Sequence, residues 1–289
     1  LLNQQETDEL LNRVVEQMSQ QAFDANDSNL LRQMVECLGD TRGMVRLRCA
    51  QTLGEIGKPA TPFLLEALAS HQNVVVRRAS AKTLTLIADT TAIPTLIEAI
   101  LNDEDTVVKG SSVGALARMG EASVSVLLEI LESPENPEST KGHAAWALAF
   151  IGAEAKERLY REISSDSAEV RCAVVGAIAK VAQEQPEEKA FDLLVEALDD
   201  RSENVRCEAA SALGNLAHKP AIPSLMQLLC HPEGESRKAA ALALMKVGEG
   251  ETLEPLKVAL ENESEAAVKT IIQLAIVRIE KQLEADDWE

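Results

Sequence analysis

Val205-Arg206-Cys207-Glu208-Ala209-Ala210-Ser211-Ala212-Leu213-Gly214, followed eight residues later by Ile222-Pro223-Ser224-Leu225, is the stretch on which the fold turns. A basic residue opens a run of alanines, a Leu-Gly step closes it, and a proline starts a second apolar segment. The same order recurs at Arg46, Arg77, Lys109, Lys141, Arg171, Arg206, Arg237 and Lys269, with spacings of 31, 32, 32, 30, 35, 31 and 32 residues. A period near 32 held along a chain marks stacked repeats that bury one continuous core.

Aligned on the basic residue, the repeats give clean columns. Three residues on stand Cys49, Ser80, Ser112, Ala144, Val174, Ala209, Ala240 and Ile272, and seven on stand Leu53, Leu84, Leu116, Leu148, Ile178, Leu213, Leu244 and Ile276. Ten on, the residue is again apolar, from Ile56 to Ile279. Offsets of 3, 7 and 10 trace one face of a helix, here called the A helix. Eleven on stands Gly57, Ala88, Gly120, Gly152, Ala182, Ala217 or Gly248, the small residue that a tight helix ending favours. A second, B helix follows, often with a proline near its start (Pro62, Pro94, Pro223). Polar turns such as 102–105 and 199–202 then supply Asp, Asn and Ser to cap the next A helix.

The spacing predicts an additional helix pair over 7–38, with helices at 7–22 and 28–38. It also predicts a closing helix at 265–284, where Glu280 replaces the small residue, and a mobile acidic tail at 285–289 that includes Trp288. The expected fold is all-α: a right-handed α-solenoid of about 17 helices, with 1–284 a single continuous domain.

Composition bounds the function. The 289 residues carry a net charge of −19, 46% hydrophobic residues and only 2% aromatics. Such a charge repels phosphate backbones and anionic membrane, so a basic protein segment is the expected partner, not nucleic acid. No run of about 18 apolar residues predicts membrane insertion. The first residues, Leu1-Leu2-Asn3-Gln4-Gln5, lack the positive region of a signal peptide. Cys37, Cys49, Cys172, Cys207 and Cys230 are scattered without a C-x-x-C and suit reduced thiols.

Val205-Arg206, Ala209-Ala210-Ser211-Ala212-Leu213-Gly214 and Ile222-Pro223-Ser224-Leu225 resemble HEAT repeats, specifically the phycobilisome-lyase HEAT-like repeat. The resemblance covers essentially the whole chain. It implies a role among bilin lyases, phycobilisome-degradation factors or adaptors, including a branch that binds A-type iron–sulfur scaffold proteins. It implies a location in the cyanobacterial cytosol, or in plastid stroma after loss of a transit peptide.

Three sets of residues are candidates for function. The basic column, Arg46, Arg77, Lys109, Lys141, Arg171, Arg206 and Arg237, is expected to form a structural ladder that ties layer to layer through facing carboxylates. An anion-binding strip is the rival reading. On the B helices, one register holds Glu36, Glu66, Glu98, Glu129, Arg161, Glu196, Gln227 and Val258. Layers about 10 Å apart keep these carboxylates from pairing as a catalytic dyad, so they are either a solvated face or an acidic concave groove for a basic segment. The third set breaks the register: His143, Trp146 and Phe150 share one helix face after a two-proline turn, with Tyr160 and Arg161 on the paired helix. Trp146 sits in a column that is usually polar or small. An aromatic-plus-Arg cluster has the composition of a binding hot spot, against the plain reading of Trp146 as a space filler.

No catalytic motif is present, and the four histidines lie in different layers. The main expectation is therefore a non-enzymatic adaptor or assembly factor for a phycobilisome, photosystem or iron–sulfur partner, with no cofactor or metal. The alternative is a phycobilin lyase or chromophore-detaching protein, which need only hold the bilin while the acceptor supplies the thiol. Its propionates want cations, and Arg158 and Arg161 are the nearby B-helix candidates. The weaker alternative is a metal or cluster carrier through Cys230 and His231.

Overall fold

The structure, a computed structural model, describes residues 3–286. All regular structure among them is helical, with 17 α-helices joined by short loops and 3-10 turns. The chain divides into two compact units, Leu1–Ala147 and Leu148–Glu289. The first contains α1 (Gln4–Ser19), α2 (Ser28–Glu36), α3 (Gly43–Ile56), α4 (Thr61–Ser70), α5 (Val74–Ile87), α6 (Ile93–Asn102), α7 (Thr106–Arg118) and α8 (Val124–Glu132). The division falls within α9 (Glu138–Ile151). The second contains α10 (Lys156–Glu162), α11 (Ala168–Glu184), α12 (Glu188–Glu196), α13 (Glu203–Asn215), α14 (Ile222–Leu228), α15 (Gly234–Val247), α16 (Leu253–Asn262) and α17 (Ala266–Asp286).

Each unit is a stack of helix pairs of the α-solenoid class that the period predicts. A helices pack on A helices (α3 on α5, α5 on α7, α13 on α15), and B helices pack on the A helix that follows (α4 on α5, α14 on α15). The columns explain this layering. Every residue at offset 3 is buried to within 1% of full burial, and every one at offset 7 to within 7%. Small residues let the A helices approach closely: a Cβ added at Gly214 would lie 2.8 Å from the Ala243 Cα. Offset 11 also behaves as its composition demands. Gly57, Ala88, Gly120, Gly152, Ala217 and Gly248 all take positive φ, ending the A helix in the left-handed turn that glycine tolerates best. Ala182 is the exception. There α11 runs on to Glu184, which absorbs the long 35-residue spacing before Arg206.

The ends differ from the sequence expectation in detail. Helix α1 starts at Gln4, not at 7, because Asn3 and Glu6 form a reciprocal capping box. It ends at Ser19, before the positive-φ residue Gln21. The last helix continues to Asp286, and the rest of the expected tail, 287–289 with Trp288, lies outside the described residues.

The basic column ties repeats together at four of its arginines. Arg77 directs Nε and Nη2 to the two Asp103 oxygens (2.8 and 3.2 Å) and Nη1 back to the His71 carbonyl (3.0 Å). Arg171 does the same with Asp200 (2.7 and 2.8 Å) and the Ser165 and Asp166 carbonyls. Arg237 joins Glu263 to the His231 and Pro232 carbonyls. Arg206 joins Glu233 and the Ser236 hydroxyl to the Asp200 carbonyl. One planar fork thus links the turn before its own helix to the turn of the next repeat.

Three positions of the expected ladder depart from it. Arg46 reaches only backwards, to the Asp40 and Thr41 carbonyls. Lys109 donates to the Leu101 carbonyl, and Lys141 pairs with Glu138 of its own helix. A single ammonium cannot span both turns as a guanidinium does. Near Arg46 the layer-to-layer role falls to Arg42, which the column does not single out. It pairs with Asp8 of α1 at 2.9 Å and with Asp40 at 2.9 Å.

Candidate functional site

The B-helix register singled out in the sequence lines a groove system in each unit. In the first unit, a hollow of about 510 Å³ lies between α2 and α4, with Glu36, Glu66 and Phe63 on its walls. A second, of about 610 Å³, lies between α4 and α6 with Glu98, Asp103 and Glu104. The two share Ser70, His71 and Gln72 and so lie side by side along one furrowed face. Its cations are already committed. Arg32 pairs with Glu66 and lies over the Phe63 ring, 5.2 Å from the centroid. Arg77 is held by Asp103. His71 Nδ1 accepts the Asn73 N–H (3.0 Å) and Nε2 faces Glu36 at 3.3 Å. Glu98 takes a neutral partner, the Asn102 amide, at 2.8 Å. Burial pushes the Asp103 carboxyl up, but the Arg77 hydrogen bonds outweigh it and hold the group below its ordinary value.

In the second unit the register keeps one acid, Glu196, and then turns to Gln227 and Val258. Glu196 and Gln227 line a hollow of about 530 Å³ between α12 and α14. Val258, 55% exposed, lines a larger groove of about 830 Å³ between α14 and α16. Met226, Leu229, Pro232, Pro255 and Ala259 give that groove an apolar wall. The two hollows meet at Cys230-His231-Pro232. His231 Nδ1 accepts the Glu233 N–H at 3.1 Å, which leaves the proton of the neutral ring on Nε2. Arg237 on the groove wall is held by Glu263 and Glu265. The sequence reading missed this groove, although the signal was there: the change from Glu to Gln227 and Val258 in the register, beside Cys230-His231.

The remaining candidates are dispersed. Glu129 and Arg161 are exposed. Trp146 and Phe150 stand out from α9, 53% and 51% exposed, with His143 half-buried on the same helix. Phe150 stands at the surface because offset 9 points away from the buried 3-7-10 face. Tyr160 is only 6% exposed, so its ring is not offered to solvent beside Arg161. The Lys189 ammonium covers it at 4.7 Å from the centroid, and burial pushes the phenol above its ordinary value. Arg158 pairs with Glu162 at 2.8 Å.

The thiols divide by layer. Cys37 and Cys49 are buried, Cys172 and Cys207 are half-buried, and Cys230 is exposed. Among the described residues, no three His, Cys, Asp or Glu side chains are grouped to hold a metal ion. None of the described helices is long and apolar enough to cross a membrane.

A family profile described as HEAT repeats matches residues 61–140, 124–205 and 191–276, and one described as PBS lyase HEAT-like repeat matches 45–70. The chain is 39% identical over 275 residues to the bilin biosynthesis protein MpeU of Synechococcus sp. (strain WH8020), covering 95% of this chain and 93% of that protein. Among solved structures it is similar to the karyopherin Kap121p bound to the extreme C-terminus of the protein phosphatase Cdc14p, at 16% identity and a TM-score of 0.60, over 90% of this chain and 34% of that one. It is also similar to Kap95p, at 14% identity and a TM-score of 0.53, over 88% of this chain and 41% of that one. At these identities the structural likenesses speak to fold alone.

Proposed function

The chain belongs to the HEAT-repeat family and is a homologue of a bilin-biosynthesis protein, and from that premise we propose that it binds a bilin and presents it to an acceptor protein as a lyase-type factor. The observation that carries the reading is the 39% identity over 95% of the chain. It favours chromophore handling over the plain adaptor that the sequence put first.

The α14–α16 groove supplies a place for the substrate. Its volume of about 830 Å³ lies within the roughly 300–1,000 Å³ of small-molecule sites. Its apolar wall suits the conjugated body of an open-chain tetrapyrrole. Gln227 and Val258 stand where other repeats carry Glu, so repulsion of the two propionates is relieved there. Of the three carboxylates on its wall, Glu263 and Glu265 share the Arg237 guanidinium and Glu254 faces the Lys257 ammonium at 4.0 Å. His231 Nε2–H offers one donor to a lactam carbonyl. The chemistry then asks little of the protein. The acceptor thiol adds across a side-chain double bond of the bilin: a C–S bond forms, the π bond breaks, and the thiol proton ends on the adjacent carbon. Holding the bilin in one pose and excluding water is the contribution of the groove.

The test is titration with free phycobilin followed by visible absorption, and then addition of an acceptor subunit. A saturable complex with a sharpened band is expected, followed by a thioether-linked product. Val258→Glu, which restores the acid of the register, should weaken bilin binding about tenfold with no loss of melting temperature. An unchanged free-bilin spectrum at saturating protein would overturn the reading, as would equal affinity in the Val258→Glu variant.

A further inference from the structure

We propose that the furrow along α2, α4 and α6 docks an extended, arginine-bearing segment of a protein partner. The proposal stands on the first unit alone and fails or survives separately from the bilin reading.

The two hollows adjoin, because the Ser70-His71-Gln72 turn lines both. The furrow's charge is one-sided. Glu36, Glu66, Glu98, Asp103 and Glu104 line it against Arg32 and Arg77, and both arginines are already paired. An added anion meets net repulsion there, and an added cation meets net attraction.

A second observation points to the kind of cation. The furrow already holds one guanidinium, its own Arg32, stacked on Phe63 and paired with Glu66. Both members of that pair are 55% exposed, so the cradle of aromatic face and carboxylate sits at the open surface. A planar guanidinium uses both halves of such a cradle, and an ammonium uses them less well. The matching carboxylate one repeat on, Glu98, is exposed and bonded only to an amide of its own helix. It can accept a partner's arginine without displacing an internal one.

The spacing sets the register of the ligand. Successive B-helix carboxylates lie about 10 Å apart, one helix–helix distance. A chain in the extended polyproline-II form rises about 3.1 Å per residue and brings every third side chain back to the same face, so the matching arginines stand three residues apart. The recognised segment is therefore Arg-x-x-Arg, lying across the B helices.

The experiment uses the full chain and two labelled peptides with the same composition. One has three arginines spaced three apart, and its isomer has them contiguous. Fluorescence anisotropy should give tighter binding of the spaced peptide, an affinity that falls with salt, and about a tenfold loss in a Glu98→Arg variant. Glu251→Arg, an exposed site in the other unit, serves as the control for net charge and should leave binding nearly unchanged. Three results would each overturn the proposal: equal affinity for the isomers, no effect of Glu98→Arg, or an equal loss in the Glu251→Arg control.

Discussion

Replacing Arg171 by Lys keeps the charge and removes the fork, so it isolates what the planar guanidinium does for the stack. The Arg171 side chain is 5% exposed and Asp200 is 14% exposed, so the pair is nearly shut off from water. Four hydrogen bonds converge on it: two to Asp200 at 2.7 and 2.8 Å, and two to the Ser165 and Asp166 carbonyls at 2.8 and 3.1 Å. A lysine ammonium at the end of its stem can follow one side of this bridge. If it follows Asp200, both carbonyls lose their donor; if it follows the carbonyls, Asp200 is left with the Ser202 N–H as its donor. Each lost bond to a neutral group is worth about 0.5–1.5 kcal/mol, and each to a charged group about 1.5–3 kcal/mol. Arg171→Lys should therefore cost about 2–3 kcal/mol. Arg171→Ala strands a largely buried carboxylate and should cost about 3–5 kcal/mol. At roughly 2–4 °C per kcal/mol for a fold of this size, the Lys variant should melt about 5–10 °C below the parent. Circular dichroism at 222 nm measures this directly. A Lys variant melting within about 2 °C of the parent would refute the claim that the fork, and not the charge, links the repeats.

Two further predictions follow from the electrostatics. The Arg237 hydrogen bonds hold the Glu263 carboxyl down to about 2. A depressed folded value stabilises the protein above the unfolded value near 4.5 and loses that stability as pH falls towards 2. Acid melting of the parent should steepen in that window, and Glu263→Gln should be less stable at pH 7 and lose less on acidification. Among the thiols, Cys230 is exposed while Cys37 and Cys49 are 1% and 0% exposed, and burial pushes Cys172 up to about 11. Iodoacetamide at pH 8 should label Cys230 first and leave Cys37 and Cys49 until unfolding, with peptide mass spectrometry as the readout. Backbone strain gives a last one: Ala88 holds φ +52 in a turn where four other repeats use Gly. Ala88→Gly should raise the urea midpoint, by roughly 0.5–1 kcal/mol in stability.

What could be read from the chain and what could not divide along a physical line. The columns at offsets 3 and 7 were legible because a residue buried in one layer meets the same surroundings in the next. Position alone then dictates size and polarity, as at Leu53, Leu84 and Leu116. The arginine ladder was legible as a column but not in its members. Whether a basic residue spans two turns depends on fork against point charge, and Lys109 and Lys141 fail for that reason while Arg42 takes up a tie the column does not name. Tyr160 was illegible because its ring contacts include Lys189, a residue on the following B helix.

The B-helix register shows how the two kinds of information combine. Its acids mark the furrow at Glu36, Glu66 and Glu98 because they recur. Gln227 and Val258 mark the α14–α16 groove because they do not. Repetition in a stacked fold is imposed by the neighbours of each layer, so a surface position free of such neighbours repeats only if each layer meets a similar environment or partner. A register that is acidic at Glu36, Glu66 and Glu98 and uncharged at Gln227 and Val258 therefore argues for two ligands of opposite character, a cationic segment on α2, α4 and α6 and an anion-bearing apolar molecule on α14 and α16. Exchanging the register tests this in one step. In a protein carrying both Glu98→Val and Val258→Glu, affinity for the arginine peptide and for the bilin should fall together, while either change alone should weaken only its own ligand. A single variant that weakens both would mean that the two surfaces are not separate sites.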